Sequence, residues 1–290
     1  MRLRFANSVC GILALAALLT AQPAPIRGQN PDNMMPEERT AKGKEVLNQL
    51  ITALGGPTYL DIRESNCEGR LAQFGHGGEL AGYTNFKVYW RYPDKNRTDF
   101  SKKGVIVNVY NGDRGWTLDR GGVSELSNAA VADFQEQAKR DINNLLRLRL
   151  KEPGMTIRFG GTDVVDLRTV DWVEITDTEQ RDFRLAVDRS SHFLVRSVVT
   201  LTDDTSPDRS VETHIYTNYQ LMDGVWTPLQ ITLDRNGRRV NQVFFQSCKY
   251  NPGFAEDFFT KAALDKRSSE VGVKKSKAEK KKEKEAEKDN

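Results

Sequence analysis

The three histidines of the chain are the first candidates for chemistry, because imidazole can bind a metal ion or act as a general base near neutral pH. They are His76, His192 and His214, and no two of them have the HxH or HExxH spacing of a metal site. No two cysteines lie close together in the sequence either. We therefore predict neither a metal site nor a cofactor.

Carboxylates are numerous in the second half of the chain, and a pair of them could act as the acid and base of a glycosidase-like site. Most flank turns or occupy outward strand positions, and their spacing singles out no pair, which favours a solvated face. There is no GxSxG motif and no Walker-type loop. We predict that the protein is not an enzyme and keep an envelope hydrolase as an alternative. These carboxylates are Asp163, Asp166, Asp171, Glu174, Asp177, Asp182 and Asp188.

The stretch YNGDRGWTLDRGG, residues 110–122, has the glycines of a phosphate-binding loop. Such a loop needs a helix directly after it, to supply backbone N–H groups and the helix dipole. Here the flanking segments alternate like strands, ending at Val109 and opening at Trp116. Asn111-Gly112 is a favoured dipeptide of a tight hairpin, so we predict that this stretch turns the chain.

The first 21 residues have the pattern of a cleaved signal peptide. Arg2 and Arg4 precede an apolar run from Val9 to Leu19 that is too short to span a bilayer, and small residues follow it. Cys10 lies at the head of this run, too early for a lipid-bearing cysteine. We expect cleavage after Ala21, a flexible linker over residues 22–35, and an exported, periplasmic or secreted protein that is not an integral membrane protein.

Residues 263–290 are rich in Lys and Glu and are predicted to form a disordered tail, because they offer little apolar surface to bury. The chain has a net charge of +3, of which residues 1–29 carry +3 and residues 266–290 carry +4, so the body between them carries −4. A mildly acidic body argues against nucleic acid as a partner. The tail is either a solvated segment or an arm for anionic lipid headgroups.

Two helices and many strands are predicted for a single domain over residues 36–262. Apolar residues repeat at helical spacing after Pro36, and a second stripe follows Ser127, a good N-cap, and ends before Pro153. The other segments alternate like strands and are joined by short turns, so neighbouring strands must pair antiparallel. The predicted strands are 65–74, 82–92, 96–103, 104–111, 115–119, 156–163, 169–177, 181–188, 192–202, 210–219, 225–235 and 239–249.

This pattern predicts a mainly β fold: a strongly curved antiparallel sheet of about 11–12 strands that forms an incomplete barrel. The helices would cover its concave side and either fill it as ordinary core or leave room for an apolar ligand. Cys67 and Cys248, the two cysteines that survive processing, could be bridged or remain two free thiols.

The run GYTNFKVYWRYPDKNRTDFSKKGVIVNVYNGDRGWTLDRGGVSEL resembles the bacterial periplasmic carriers of outer-membrane lipoproteins (LolA-like proteins). The pattern is a strand, a basic residue near a proline, an arginine-containing strand, an Asp/Asn-Gly turn and a tryptophan. DGVWTPLQITL and the ending YNPGFAEDFF are similar to the wider lipoprotein-sorting superfamily. The likeness covers roughly residues 40–260. It implies a half-closed barrel with a helical lid over an apolar cavity for acyl chains.

One position departs from this pattern. In the carriers, an arginine directly precedes the proline and helps to hold the lid closed, whereas here Tyr92 precedes Pro93 and the arginine is Arg91. A shift of one residue moves a strand side chain to the opposite face. The resemblance therefore implies lipid binding in a similar cavity without the same gate.

We expect a non-enzymatic periplasmic protein whose partner is a lipid or lipoprotein acyl chain, with envelope proteins as further candidate partners. A sensor or interaction module with a filled core is the second alternative. The residues expected to line the cavity are Phe86, Val88, Trp90, Val107, Val109, Trp116, Phe134, Leu145, Phe183, Leu185, Ile231 and Phe245.

Overall fold

The computed structural model describes residues 30–100, 105–203 and 206–272. The predicted signal peptide, the first part of the predicted linker and residues 273–290 of the predicted tail lie outside the described residues. At residues 31–33 the chain forms a single 3-10 turn, and the first helix follows it.

The first predicted helix is confirmed as α1, Pro36–Leu54, which begins with proline and ends at Gly55, where φ is 136°. The second prediction, one helix over residues 127–150, is corrected. The chain forms α3, then α4, because Asp141 interrupts the helix with an extended ψ of 128° and caps α4 with its side chain. The other helices are α2 Pro57–Leu60, α3 Asn128–Arg140, α4 Ile142–Arg147 and α5 Lys261–Glu270.

Thirteen strands form one antiparallel sheet in the described part of the chain, one more than predicted. The additional strand is β6, which has only four residues and no alternation that would mark it. The strands are β1 Glu64–Phe74, β2 Leu80–Arg91, β3 Lys95–Asp99, β4 Val107–Asn111, β5 Arg114–Asp119, β6 Gly122–Glu125, β7 Thr156–Val165, β8 Arg168–Thr176, β9 Asp182–Asp188, β10 Leu194–Asp203, β11 Ser206–Met222, β12 Val225–Arg235 and β13 Arg238–Tyr250.

The predicted hairpin is confirmed, although its two-residue loop is Gly112-Asp113 rather than Asn111-Gly112. Residues 110–122 do turn the chain: β4 and β5 pair on either side of Gly112, where φ is 61°. Asn236 and Gly237 both have positive φ, the conformation of a tight hairpin turn between β12 and β13. No helix follows Gly112, so the stretch offers no helix N-terminus to a phosphate.

The strand order is β6-β5-β4-β3-β2-β1-β13-β12-β11-β10-β9-β8-β7. The first and last strands in the sequence thus pair at the centre, and the edge strands β6 and β7 are not paired with each other, so the sheet is an incomplete barrel. The chain must travel from one edge to the other between residues 125 and 156. This crossing segment contains α3 and α4, and it lies over the face that we call the inner face, marked by Val88, Trp90 and Ile231.

The main hydrophobic core lies on the inner face. There α1 and α4 pack against β7 to β12, with Leu50, Leu145 and Val173 fully buried. The opposite, outer face carries two smaller clusters. One of them covers β7 to β10 and includes Trp172 and Val195.

The other outer cluster covers β2 to β6 and is closed by the C-terminal segment, residues 251–270. Phe259 and Leu264 of this segment are buried against Val109 and Leu118. This packing corrects the predicted start of the disordered tail at residue 263, because α5 continues the fold to Glu270. Its apolar residues show no clear helical stripe, which is why the sequence did not reveal it.

Gly43 allows α1 to approach the edge strand β7. A Cβ atom at this position would lie 2.8 Å from the Arg158 carbonyl carbon and 2.9 Å from the Phe159 amide nitrogen, both of which are backbone atoms. We expect Gly43→Ala to lower the free energy of unfolding by about 1–3 kcal/mol, the usual cost of overpacking. Chemical denaturation measures this change. Gly82→Ala is the matched control, because a Cβ there meets nothing within 4 Å; equal effects of the two variants would contradict the proposed approach.

Candidate functional site

Two adjoining chambers lie between the inner face and the crossing segment. The large chamber has a volume of about 720 Å³ and the small chamber about 180 Å³. The large one falls within the range of about 300–1,000 Å³ that is common for small-molecule sites. The chambers share part of their walls and are therefore adjacent. The shared wall consists of Val88, Trp90, Asp141, Ile142, Asn143, Tyr216 and Ile231.

The small chamber is walled mainly by hydrocarbon and by aromatic rings. It lies under the start of α4, against β1, β2, β12 and β13, and the Cys67–Cys248 disulfide forms part of its wall. Five tyrosines, two tryptophans and one phenylalanine contribute rings. The aliphatic and aromatic residues around it are Leu54, Tyr59, Ile62, Val88, Trp90, Tyr92, Ile142, Leu146, Leu194, Tyr216, Tyr219, Val225, Trp226, Ile231, Phe245 and Tyr250.

The hydroxyls of these tyrosines are all bonded to other protein groups. Tyr59 donates to Asn143 Oδ1 at 3.2 Å and Tyr219 donates to the Leu194 carbonyl at 2.8 Å. The other three pair with serine or threonine hydroxyls at 2.6–3.2 Å. A buried hydroxyl without a partner would require a polar ligand. Because these hydroxyls have partners in the protein, the tyrosine rings can contact an apolar guest without leaving a buried hydroxyl unpaired. The three hydroxyl pairs are Tyr92–Ser65, Tyr216–Ser197 and Tyr250–Thr227.

Burial also keeps the tyrosines neutral. It raises the pKa of Tyr250 to about 12 and raises the pKa of Tyr216 and of Tyr219 further above the usual range. Since none of these phenols ionises near neutral pH, the rings add no negative charge to the wall of the small chamber.

Tyr92 and Arg91 point to opposite faces of the sheet, as the one-residue shift predicts. Tyr92 borders the small chamber, and the Arg147 guanidinium of α4 lies 3.9 Å from the centre of its ring. Arg91 lies on the outer face, where its Nε donates to Glu64 Oε1 at 2.8 Å and its Nη2 to the Phe254 carbonyl at 2.7 Å. Arg91 therefore binds the C-terminal segment on the outer face. On the inner face, Tyr92 is contacted by Arg147 of α4.

Asp141 lies in the shared wall, between α3 and α4. Its Oδ1 accepts the N–H groups of Asn143 and Asn144 at 3.0 and 2.9 Å. Burial raises the pKa of this carboxyl, while the Asn144 N–H and the Arg147 guanidinium oppose the rise. The side chain caps α4 and so fixes the helix end that divides the two chambers.

The large chamber is more polar than the predicted apolar cavity, which corrects the expectation that the whole cavity is apolar. Its walls on β3 and β4 carry amides and hydroxyls beside Tyr110, and α3 contributes Phe134 and Gln137. At one side Glu212 lies between two arginines, with Arg235 at 2.6 Å and Arg140 at 3.7 Å. His214 lies nearby, and burial lowers its pKa although Glu212 acts in the opposite direction.

Phe134 attaches α3 to the inner face by stacking. Its ring centre lies 4.2 Å from that of Tyr110 and 5.7 Å from that of Trp90. Polar contacts also attach the crossing segment. Asn144 Nδ2 donates to the Pro93 carbonyl at 2.8 Å, and Arg181, just before β9, donates to Glu136 at 2.7 Å. In the crossing segment, α3 thus covers the large chamber through an aromatic stack and separable polar contacts, while α4 is also anchored in the main core by Leu145 and Leu146.

Five of the residues expected to line the cavity border one or both chambers. Val88, Trp90 and Ile231 border both, Phe134 borders the large chamber and Phe245 borders the small one. Phe86 is also on the inner face, where its ring packs 5.9 Å from that of Phe245 and lies outside both walls.

Six other predicted lining residues are in hydrophobic clusters. Val107, Val109 and Trp116 face the outer side, under the C-terminal segment; on β4 it is the alternate positions, Asn108 and Tyr110, that face the large chamber. The prediction chose the wrong face because both faces of β4 are covered. The remaining three pack in the main core beneath α1 and α4 and border neither chamber: Leu145, Phe183 and Leu185.

Most candidate catalytic residues lie away from the chambers, although Asp171, Asp188 and His192 border one small pocket beside α1. His76 is exposed in a loop, His192 lies in a turn with φ of 58°, and His214 alone borders a chamber. Among residues 30–100, 105–203 and 206–272, no three His, Cys, Asp or Glu side chains gather as a metal site would require. Within the same ranges no helix combines the length and hydrophobicity needed to cross a membrane.

Cys67 and Cys248 are joined by a disulfide between β1 and β13, where they are cross-strand partners. The bond therefore links the first and the last strand of the chain at the centre of the sheet. Sequence reasoning had left this pairing open. It also missed the tyrosines, Asp141 and Arg147 as site residues, although an aspartate before INN is a recognisable N-cap signal for α4.

A scan against protein-family models and a search of curated proteins found no match. Among solved structures, the chain is similar to a DUF1329 family protein from Desulfovibrio piger, with a TM-score of 0.56 and 14% identity over 78% of this chain and 99% of that one. This likeness shows a shared fold.

Two further matches have lower scores. One is a putative outer membrane lipoprotein-sorting protein domain from Vibrio parahaemolyticus, with a TM-score of 0.49 and 14% identity over 78% of this chain and 99% of that one. The other is a LolA superfamily protein from Nitrosomonas europaea, with a TM-score of 0.48 and 14% identity over 77% of this chain and 99% of that one.

Proposed function

We propose that this protein is an exported, non-enzymatic carrier or binding protein of the bacterial envelope, and that it holds the acyl chain of a lipid or lipoprotein in the small chamber. The observation that carries the proposal is the wall of that chamber. Its rings and aliphatic groups surround a space of about 180 Å³, and its tyrosine hydroxyls are already paired. Such a wall suits a guest without hydrogen-bonding groups.

The energetics agree with this guest. Burial of each methylene contributes about 0.8 kcal/mol, so several methylenes provide micromolar affinity even after the costs of association. The α3 part of the crossing segment supports the same proposal, because it meets the inner face through the Phe134 stack and separable polar contacts, whereas Leu145 and Leu146 anchor α4 in the main core. A guest can enter when α3 moves as a lid.

The predicted signal peptide and the disulfide support the envelope location. The basic start and short apolar run of residues 1–21 predict a signal peptide, and the Cys67–Cys248 disulfide fits an oxidising compartment such as the periplasm. The resemblance of the sequence to the lipoprotein carriers points to the same compartment.

Titration with a fluorescent fatty acid tests the proposal. We expect saturable, reversible binding by the wild-type protein and at least about tenfold weaker binding by Phe134→Asp, because the variant places a charge against Tyr110 and Trp90 where the lid meets the sheet. Ala132→Asp is the matched control: it is on the same helix, exposed, and should bind like the wild type.

Circular dichroism spectra and melting temperatures of both variants separate loss of binding from loss of folding. A folded wild-type protein without saturable binding of any acyl probe would exclude the carrier function and favour a sensor or interaction module. Turnover of an acyl or glycosyl ester by the purified protein would favour a hydrolase instead.

A further inference from the structure

The large chamber differs from the small one in the groups that it offers to a guest. Strands β2, β3 and β4 place Trp90 opposite Asn96 and Asn96 opposite Tyr110 in one cross-strand row. In the next row Thr98 lies opposite Asn108, and Asn108 opposite Thr117. The floor of the chamber is thus a neutral strip of amides, hydroxyls and aromatic rings.

The two asparagines of this strip are oriented by neighbouring threonines. Thr98 Oγ1 donates to Asn96 Oδ1 at 3.0 Å, and Thr117 Oγ1 donates to Asn108 Oδ1 at 2.8 Å. Each amide oxygen thus accepts one of the two bonds open to it, and the amide nitrogen is the group with more bonds left for a guest. In the described part of the chain, no hydrogen-bond acceptor is recorded for either Nδ2 atom or for Trp90 Nε1. The strip therefore presents N–H donors to the chamber.

The charges around this strip nearly balance, with three carboxylates, one of them the exposed Asp133, and two guanidinium groups. Glu212 is bound by two arginines, Asp141 is used as the cap of α4, and burial lowers the pKa of His214, which disfavours a charge on its ring. A free anion would meet three carboxylates in these walls, and a free cation would meet two guanidinium groups. The charged residues of the chamber are Asp133, Arg140, Asp141, Glu212 and Arg235. A guest with neutral oxygen atoms suits this environment best.

We infer that the large chamber binds an uncharged, hydroxyl-rich headgroup, so that the preferred guest is a neutral glycolipid-like amphiphile with its acyl chain in the small chamber. This inference rests on the proposed function. Hydroxyl and ether oxygens of a sugar accept bonds from the Asn96 and Asn108 amides and from the Trp90 indole. Trp90, which borders both chambers, lies where the headgroup joins the chain.

Three probes with the same ten-carbon chain test the inference below their micelle concentrations: decyl maltoside, decanoate and decyltrimethylammonium. Isothermal titration should show at least about tenfold tighter binding of the maltoside than of either charged probe. Asn108→Leu should weaken maltoside binding about tenfold and leave decanoate binding within about twofold, because it removes a donor without changing the small chamber. Thr98→Val should weaken maltoside binding to a lesser degree, since it frees the Asn96 amide to rotate.

Asn85→Leu is the control, an equal substitution at an exposed position on the opposite face of β2, and it should change none of the three affinities. Equal affinity of the wild type for the three probes, or preference for a charged one, would overturn the headgroup inference and leave the acyl-chain function standing. Failure of all three to bind would overturn both.

Discussion

Replacement of Asp177 by alanine is expected to lower the free energy of unfolding by about 3–5 kcal/mol, the usual cost of removing one partner from a buried ion pair. The Asp177 side chain is fully buried, and its Oδ2 lies 3.1 Å from Arg149 Nη2 and 2.9 Å from Arg181 Nη1. Its Oδ1 accepts the N–H groups of Glu179 and Arg181. Without this carboxylate, two largely buried guanidinium groups lose their common partner.

The location of Asp177 makes this variant informative about the lid. Arg149 follows α4 and donates to the Lys139 carbonyl of α3, while Arg181 on the hairpin between β8 and β9 donates to Glu136 of α3. The carboxylate therefore joins the crossing segment to the sheet. Urea denaturation monitored by tryptophan fluorescence measures the loss. Glu125→Ala removes an exposed pair with Arg114 and should cost less than about 1 kcal/mol; a similar cost for both variants would contradict the account.

The same carboxylate should make stability depend on pH. Burial alone would raise the pKa of Asp177, but the hydrogen bonds from Arg181 and Arg149 outweigh it and hold the pKa below its usual value. A group with a lowered folded-state pKa stabilises the fold above its unfolded-state pKa and loses this contribution as pH falls. Wild-type stability should therefore decline more steeply than that of Asp177→Ala as the pH falls below about 4.

Replacement of Ile231 by tryptophan is expected to weaken acyl-chain binding by about 100-fold. Ile231 borders both chambers, so a larger side chain there takes up space in both of them. Exclusion of three or four methylenes from burial costs about 0.8 kcal/mol each, and each 1.4 kcal/mol is a factor of ten. Because the added ring enters space that is not filled by protein atoms, the melting temperature should change little.

Gln230→Trp is the matched control, since Gln230 is the next residue on β12 and its side chain faces the outer side beside Phe244. It should bind acyl probes like the wild type. If Ile231→Trp is folded and retains full affinity, the acyl chain does not contact the wall that the two chambers share, and the assignment of the site is wrong.

The fold could be predicted from the sequence in most of its elements, because its signals are local. Alternation marks the strands, Asn-Gly and Asp-Gly mark the turns, and Pro36 with Gly55 delimits α1. The short strand β6 and the helix α5 carry no clear periodicity, so only their tertiary contacts define them. The break between α3 and α4 could have been predicted only by recognising Asp141 as an N-cap, because the helical pattern of apolar residues continues through it.

The candidate site was harder to predict, since it depends on which face of each strand is covered and by what. On β4 the valines are buried under Phe259 and Leu264, which follow about 150 residues later, and so apolar alternation alone did not identify the side that faces the chamber. Polar and aromatic residues such as Asn108 and Tyr110 line the large chamber instead. The opposite orientations of Arg91 and Tyr92 could be predicted, because consecutive side chains on a strand point to opposite faces.

Mass spectrometry of the small molecules that co-purify with the mature protein tests the central claim most directly. The protein is isolated from the periplasm without detergent, extracted with organic solvent and compared with Ile231→Trp prepared in the same way. The account predicts an amphiphile with an acyl chain, present in stoichiometric amount in the wild type and strongly depleted in the variant. A folded wild-type protein with no bound amphiphile and no uptake of added lipid, or equal amounts in both proteins, would contradict it.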